Sequence, residues 1–416
     1  MGGGRRQRQS GGFIVLKRKP VLSFFPILIL LLASRGISAA PVQRIHQIQR
    51  PLFNEPAIVT AGASFTLELD LAPGVKPESA ELDPVAGAIG PVPVSLQNKD
   101  GAYAAAVPAD APEALYNLYV HFSNGASDMQ PHAVKVVRAF RDEYVFVHLT
   151  DIHFNMGNDP ARNDLRMKIL DDITALNPEF VLFSGDLGLN PATYDVDYAY
   201  AYETMVGHLG APVYMTPGNH EMYIDDVDGA VVDGRDYWEA AYGPLYHSFD
   251  YGPLHVVTIS TYDWAPRWRD KREEETVRLK INNLGLIGAE QWAWLQSDFA
   301  AAAGRGQSIV AHTHVPLEFL QGGNKMGLTK PEVVQGPSLQ KFTRFLNHYG
   351  VSHVFVGHVH FNSERLLGDS TMEVCTMGAG HNPGGEGVRD EFGYRIVHVK
   401  EGVITGMELR TFALDD

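Results

Sequence analysis

The stretch Tyr144-Val145-Phe146-Val147-His148-Leu149-Thr150-Asp151-Ile152-His153 decides how this chain is read. Residues 144–149 form an apolar strand, and the strand runs straight into a polar turn carrying a carboxylate and an imidazole two positions apart. The same unit recurs downstream. A helix over 164–176, a strand over 180–183, a helix over 198–208 and a strand over 213–216 follow in order. Then come a strand over 255–260, a helix over 289–302, a strand over 308–312, a helix over 337–348 and a strand over 353–356. Residues 372–412 alternate as two or three closing strands. Strand, polar loop and helix in repeated succession are the signature of an α/β domain, here spanning 144–412.

Five polar clusters close these strands: Asp151-Ile152-His153, Gly185-Asp186, Gly218-Asn219-His220-Glu221, His314-Val315-Pro316 and Gly357-His358-Val359-His360. Strand ends are where α/β sheets build their sites. On an extended segment, side chains two residues apart point the same way, so Asp151 with His153, and His358 with His360, are expected to reach one centre. The glycines are expected to let the backbone turn sharply. Asp151, His153, Asp186, Asn219, His314, His358 and His360 together offer two carboxylates, one amide oxygen and four imidazoles, without a thiolate. That set suits Mn, Fe, Zn, Co or Ni better than calcium or a structural zinc. Seven side chains are too many for one tetrahedral ion. Two ions sharing a carboxylate use all seven and leave room for water and substrate, and two metals about 3.5–4 Å apart are a usual device for in-line phosphoryl displacement.

These motifs, in this order, resemble the calcineurin-like metallophosphoesterases. The resemblance implies a four-layer α/β/β/α fold with two sheets face to face. It also implies roles: Asp151, His153 and His360 for a first metal, Asn219, His314 and His358 for a second, and Asp186 between them. His220 would stand near the leaving-group oxygen as an acid or a donor, and the nucleophile would be a metal-bridging hydroxide. His312 competes with His314, but the family's ligand lies two residues before a proline, which selects His314. Purple acid phosphatases also join a β-sandwich to a dimetal domain. Their iron-binding tyrosine, however, lies three residues after the bridging aspartate, where this chain has Leu189, and their first motif has no histidine at the place of His153. The 5′-nucleotidase branch adds a large C-terminal domain, whereas only some fifty residues follow His360. What remains is a phosphodiesterase or phosphomonoesterase acting on a small phosphate ester. The alternative is a metal-binding or adhesion module without turnover.

Other residues invite a role. The stretch from Tyr262 to Arg272, with Trp264, Arg267, Trp268, Arg269 and Lys271, could line a substrate pocket or form a solvated loop. Tyr223 and His381-Asn382 are similar candidates. Residues 221–280 read as a long loop region rich in Asp, Tyr, Trp and Arg, where substrate choice is expected to be decided. His148, His255 and His353 lie within strands and read as core histidines. Trp292, Trp294, Leu295 and Phe299 recur at helical spacing and read as a packed face.

Before this domain, residues 45–140 show short alternating runs, such as Ser64-Phe65-Thr66-Leu67-Glu68-Leu69, separated by turn-formers. A small all-β sandwich of immunoglobulin-like type fits, with a packing or spacing role. Residues 1–40 differ again: Arg5, Arg6, Arg8, Lys17, Arg18 and Lys19 precede a thirteen-residue apolar run containing Pro26, followed by Ser38-Ala39-Ala40. This reads as an export signal cleaved after Ala40, leading to the periplasm or secretion. The run is short of the roughly 20 residues that span a bilayer, so membrane contact is expected only if it stays uncleaved.

The 416 residues carry 34 Lys and Arg against 49 Asp and Glu, a formal charge of −15. Such a balance repels polyanions, so a large nucleic-acid partner is not expected. With 45% hydrophobic and 20% charged residues the composition is globular. Cys375 is the single cysteine, which excludes an internal disulfide.

Overall fold

Strand Glu143–Leu149 sets the layering through alternation. Tyr144 and Phe146 face one side, and His148 shares that side, its ring 5.2 Å from Phe355. Val147 and Leu149 face the other side. The computed structural model describes residues 41–88, 90–154, 160–270, 274–320, 336–380 and 391–414; the expected export segment, His381 and Asn382 lie outside them. Among the described residues no helix is long and apolar enough to cross a membrane.

Val181–Phe183 and Val213–Met215 extend this strand in parallel on one side. Glu391–Lys400 pairs antiparallel on the other, and Val403–Ala413 completes five strands. A second sheet runs His247–Tyr251, Leu254–Thr258, Ser308–His312, His353–Val356, Thr371–Cys375, Ser363–Leu367, its four central strands parallel. The sheets share one apolar layer. Phe146, Leu182, Val397 and Val399 from the first meet Leu254, Val256, Val310, Phe355 and Val374 from the second. Helices Pro160–Leu176, Tyr194–His208, Ala289–Gly304 and Leu339–His348 pack Ile169, Met205, Leu295, Phe299, Phe342 and Leu346 into the other large cluster, with Val147, Val181, Ile309 and Val354. The fold is a sheet-rich α/β arrangement.

Two helices start earlier than periodicity suggests. Pro160 heads the first, at a position where a missing N–H costs nothing. The second begins at Tyr194, directly after a short 3-10 turn, Pro191–Thr193, capped by the Asn190 side chain. The expectation of a loop over 221–280 is corrected. Besides the expected strand, found at Leu254–Thr258, much of this stretch is regular: a hairpin of Ile224–Val227 and Ala230–Asp233, helices Gly234–Ala241, Pro266–Arg269 and Glu275–Asn283, and the strand His247–Tyr251. Several of these elements are only four or five residues long, too short for either period to show in sequence.

The preceding lobe is a ribbon of eight strands in the order Ile48–Arg50, Ser64–Leu69, Ala102–Ala106, Val92–Lys99, Pro77–Pro84, Ala114–Phe122, Ser127–Val137, Ala57–Thr60. Val92–Lys99 gives Val92 and Val94 to one neighbour and Ser95 to Lys99 to the other. Phe65, Leu67 and Ala105 from one half then share a core with Leu82, Tyr116, Leu118 and Val134 from the other. This lobe packs on the α/β part within one compact unit, Ser38–Asp416. Ile58 and Val137 join the layer between the sheets, Met215 N donates to the Asn54 carbonyl at 3.2 Å, and the Tyr214 hydroxyl donates to Pro56 O at 2.9 Å.

His132 sits in this lobe contact, 4% exposed, its ring 5.9 Å from Phe53. Burial lowers its pKa to about 4. Its φ of 52° is one that Asn also adopts readily.

Two outcomes test this architecture. Phe146 is fully buried, stacked on Phe180 at 5.0 Å and edge-on to Phe355 at 5.6 Å. Phe146→Ala should cost about 3–5 kcal/mol in urea unfolding, and a loss under about 1 kcal/mol would contradict the packing described. For His132 the folded pKa lies below the unfolded value of 6.5, so its stabilising share is present above pH 6.5 and is lost as pH falls towards 4. Relative to His132→Asn, the wild-type chain should lose about 2 kcal/mol between pH 7 and pH 5; a pH-independent difference would place a protonated ring in the fold.

Candidate metal centre

The layer between the sheets changes from apolar to polar where the strands end. His148, Ser184, Thr258, His312 and Thr376 are all fully buried there. They form one chain of hydrogen bonds. Thr376 Oγ1 meets His148 Nδ1 at 2.7 Å, His148 Nε2 meets Ser184 Oγ at 2.9 Å, Ser184 Oγ meets His312 Nδ1 at 3.3 Å, and His312 Nε2 meets Thr258 Oγ1 at 2.8 Å. Burial lowers the His312 pKa to about 3, and burial beside His312 depresses His148 further below its usual range. Both rings are neutral at pH 7. With both nitrogens occupied by hydroxyls, His312 faces into this chain.

Directly above lie the loops that carry the donors. Ser184 O accepts from His314 Nδ1 at 2.6 Å, which leaves Nε2 of that ring facing the cluster. Asp151, His153, Asp186, His358 and His360 all have left-handed backbones, with φ between 49° and 70°. The expectation of extended Asp-x-His and His-x-His segments is therefore corrected: the paired side chains converge through left-handed turns. The reading of the glycines also changes. Gly185 does need its φ of +86°. Gly218 has an ordinary φ of −92°, but a Cβ there would strike Asp186, and one on Gly357 would strike Thr150 and Asp151. These two glycines permit close approach of loops.

Cross-ties fix the loops to one another. Asp151 Oδ2 accepts from His358 N at 2.9 Å and from Thr150 Oγ1 at 2.6 Å, and Asp186 Oδ1 accepts from His220 N at 3.0 Å. Fully buried Glu221 accepts from the N–H groups of Gly218 (2.8 Å), Asp186 (2.8 Å) and Leu187 (2.7 Å), clamping two loops together. Burial beside Asp186 pushes its carboxyl up to about 8, against the backbone donors. The one-turn helix Asn219–Met222 has its carbonyls held in turn: Tyr194 Oη donates to His220 O at 2.6 Å, Tyr198 Oη to Glu221 O at 2.9 Å, and Arg269 Nη2 to Met222 O at 3.0 Å.

All seven expected donors come together. They form two groups whose atoms lie within 4.8 Å of one another, Asp151, His153, Asp186 and His360, and Asp186, His314 and His358. Asn219 joins the second, its Oδ1 3.0 Å from both His314 Nε2 and His358 Nδ1. In the first, His360 Nε2 lies 3.0 Å from Asp151 Oδ1 and 3.2 Å from His153 Nε2. Asp186 Oδ2 stands between the groups, 3.3 Å from His314 Nε2 and 3.8 Å from His153 Nε2.

This donor set fits metal. Ligands about 2.1 Å from a shared ion, at angles between tetrahedral and octahedral, stand about 3.0–3.4 Å apart, close to these spacings. Burial opposes charge on both carboxylates, yet His153 and His360 at Asp151, and His314, His220 and His153 at Asp186, hold them well below the usual range. Burial likewise disfavours a charged His314, but Asp186 and Asp151 raise it to about 9. Among the described residues the ion-pair partners of these carboxylates are all histidines. Two buried carboxylates without Lys or Arg call for a cation.

His220 borders a cavity of about 340 Å³ lined also by Leu189, Asn190, Tyr223, Asp225 and Asn282. Its Nδ1 donates to Leu189 O at 3.1 Å. In the described part of the 262–272 stretch Tyr262, Trp264 and Arg269 turn inward, while Pro266 and Asp270 are exposed. Tyr262 is buried in the large cluster that the helices cover, Trp264 in the small core around Ile224 and Ile281, and Arg269 on Asp233. His148 is a core histidine held by hydroxyls, and His353 is half-buried. His255 lies between Asp250 and Asp298, which raise its pKa against burial. Trp292, Leu295 and Phe299 are buried on helix Ala289–Gly304. Sequence reasoning gave Ser184 and Thr150 no role and Glu221 none beyond its motif. Only the Glu221 spacing, three residues after Gly218 at a helix start, signalled its cap.

No curated protein matches this chain in sequence. Among solved structures, a purple acid phosphatase from yellow lupin (Lupinus luteus) seeds is 14% identical, over 85% of this chain and 70% of its own, with a TM-score of 0.48. A dimetal phosphatase from Danio rerio is 13% identical, over 65% of this chain and 99% of its own, at 0.46. At such values neither likeness bears on substrate or mechanism. The sequence profile of calcineurin-like phosphoesterases matches residues 144–362, more than half the chain and the span that carries all seven donors. The chain belongs to the calcineurin-like phosphoesterase family.

Proposed function

We propose that the protein hydrolyses small phosphate monoesters or diesters at a centre of two transition-metal ions, drawn from Mn, Fe, Zn, Co and Ni. The observation that carries this reading is the pair of donor groups sharing Asp186. Asp151, His153 and His360 would hold one ion, Asn219, His314 and His358 the other, with Asp186 common to both. Ions so held supply Lewis-acid stabilisation of phosphoryl oxygens and lower the pKa of a coordinated water towards neutrality.

The chain's own groups do the rest. His220 directs its Nδ1 proton to Leu189 O, so Nε2 is the nitrogen left to give a proton to a departing alkoxide. The adjoining cavity receives the alcohol part of the ester. Leu189 supplies only a carbonyl at the place of the purple acid phosphatase tyrosine, so we expect no purple tyrosinate charge-transfer colour. We read the first lobe as an immunoglobulin-like sandwich acting as a packing module, and the protein as exported to the periplasm or secreted.

Asp186→Ala should remove both ions on elemental analysis and abolish hydrolysis of bis-aryl and mono-aryl phosphates; retention of two ions would refute the shared role. Two ions in the wild-type protein with no turnover on a broad ester panel would leave a metal-binding module instead. His220→Ala should keep metal but slow hydrolysis of alkyl esters by about 10²–10⁴-fold, and p-nitrophenyl esters much less, because a good leaving group needs no proton. Equal losses on both would rule out the acid role.

A further inference from the structure

We infer that Tyr223 is a positioning residue for the second metal, holding the Asn219 amide in place where its oxygen reaches the ion. This rests on the dimetal reading above. An asparagine side chain is nearly symmetric in shape but not in chemistry: only Oδ1 can ligate a cation. Asn219 is 6% exposed, and its Oδ1 stands 3.0 Å from His314 Nε2 and from His358 Nδ1. Those two rings do not decide its orientation, because a ring lone pair could equally accept from an amide N–H. The Tyr223 hydroxyl accepts from Asn219 Nδ2 at 2.6 Å and so pins the amide with Oδ1 towards the rings. A flipped amide could still take a bond from the hydroxyl but would turn N–H donors towards the cation, so the contact fixes the amide's place and the cation its sense.

Local structure makes the contact reproducible. Asn219 and Tyr223 are four residues apart across the one-turn helix, so their side chains share a face. The Tyr223 ring rests on His220, centroids 4.8 Å apart. The next residue, Ile224, is fully buried, with its N–H donating to Asn282 Oδ1 at 2.9 Å and its carbonyl accepting from Asn282 Nδ2 at 2.8 Å. Helix Glu275–Asn283 thereby anchors the backbone beside Tyr223. One consequence of the 221–280 stretch is thus to deliver a hydroxyl to a ligand.

The test is a calorimetric titration of metal-stripped protein with Mn or Zn. Tyr223→Phe keeps the ring and removes only the hydroxyl. It should weaken one of the two binding steps by about 10–100-fold and leave the other unchanged. Tyr237→Phe is the control, since the Tyr237 hydroxyl bonds Asp195 outside the donor set at 2.9 Å; its titration should match the wild type. An unchanged Tyr223→Phe titration, or equal losses in both variants, would overturn the inference while leaving the dimetal reading intact. Wild-type protein that binds fewer than two ions would overturn both.

Discussion

Two carboxylates buried among four imidazoles are the constraint on which the rest of this structure depends. Asp151 and Asp186 are almost wholly shielded from water, with ring nitrogens on their open sides. Such charges are costly to bury unless positive charge reaches them. The protein supplies part of this through backbone N–H groups and histidines, and the geometry leaves the remainder to cations. Beneath them, neutral histidines and hydroxyls satisfy one another in the layer between the sheets. That polar floor holds the Ser184 backbone, and Ser184 O in turn points the His314 ring.

Convergence of seven donors from five loops is bought with backbone strain. Five of the seven occupy the left-handed region, at about 1–2 kcal/mol each for residues with a Cβ. What offsets this is the rigidity of the strands below and the ties between loops, chiefly Glu221 and the backbone bonds into Asp151 and Asp186. Strain of this kind is kept where function requires a geometry that ordinary turns do not provide.

The 221–280 stretch shows how an apparently irregular region serves such a site. Its short elements close a small core of Ile224, Trp264, Val277, Ile281 and Leu286. That core fixes the one-turn helix bearing Asn219 and His220 from its far side. Trp264 and Arg269, which look in sequence like substrate contacts, stabilise this arrangement from within. The N-terminal lobe acts at longer range, extending the apolar layer between the sheets through Ile58 and Val137.

Much could be read in the sequence because the chemistry is local to short motifs. Apolar strands ending in Asp-x-His, Gly-Asp, Gly-Asn-His-Glu and Gly-His-x-His specify an α/β domain and its donors, since strand length, turn residues and ligand type are all written within a few positions. The grouping of donors, by contrast, involves residues as far apart as His153 and His360. Left-handed turns, not extended spacing, aim the side chains, and dihedral angles are not written in residue identity. Which of His312 and His314 faces the cluster depends on the hydroxyls of Ser184 and Thr258, brought there by other strands. Ser184, Thr150 and Tyr223 act through individual hydrogen bonds, which no periodicity reports. The sequence by itself determined the candidate donors and their order; tertiary structure decided how they are brought together and held, because the holding bonds join segments that meet only when the sheets pack.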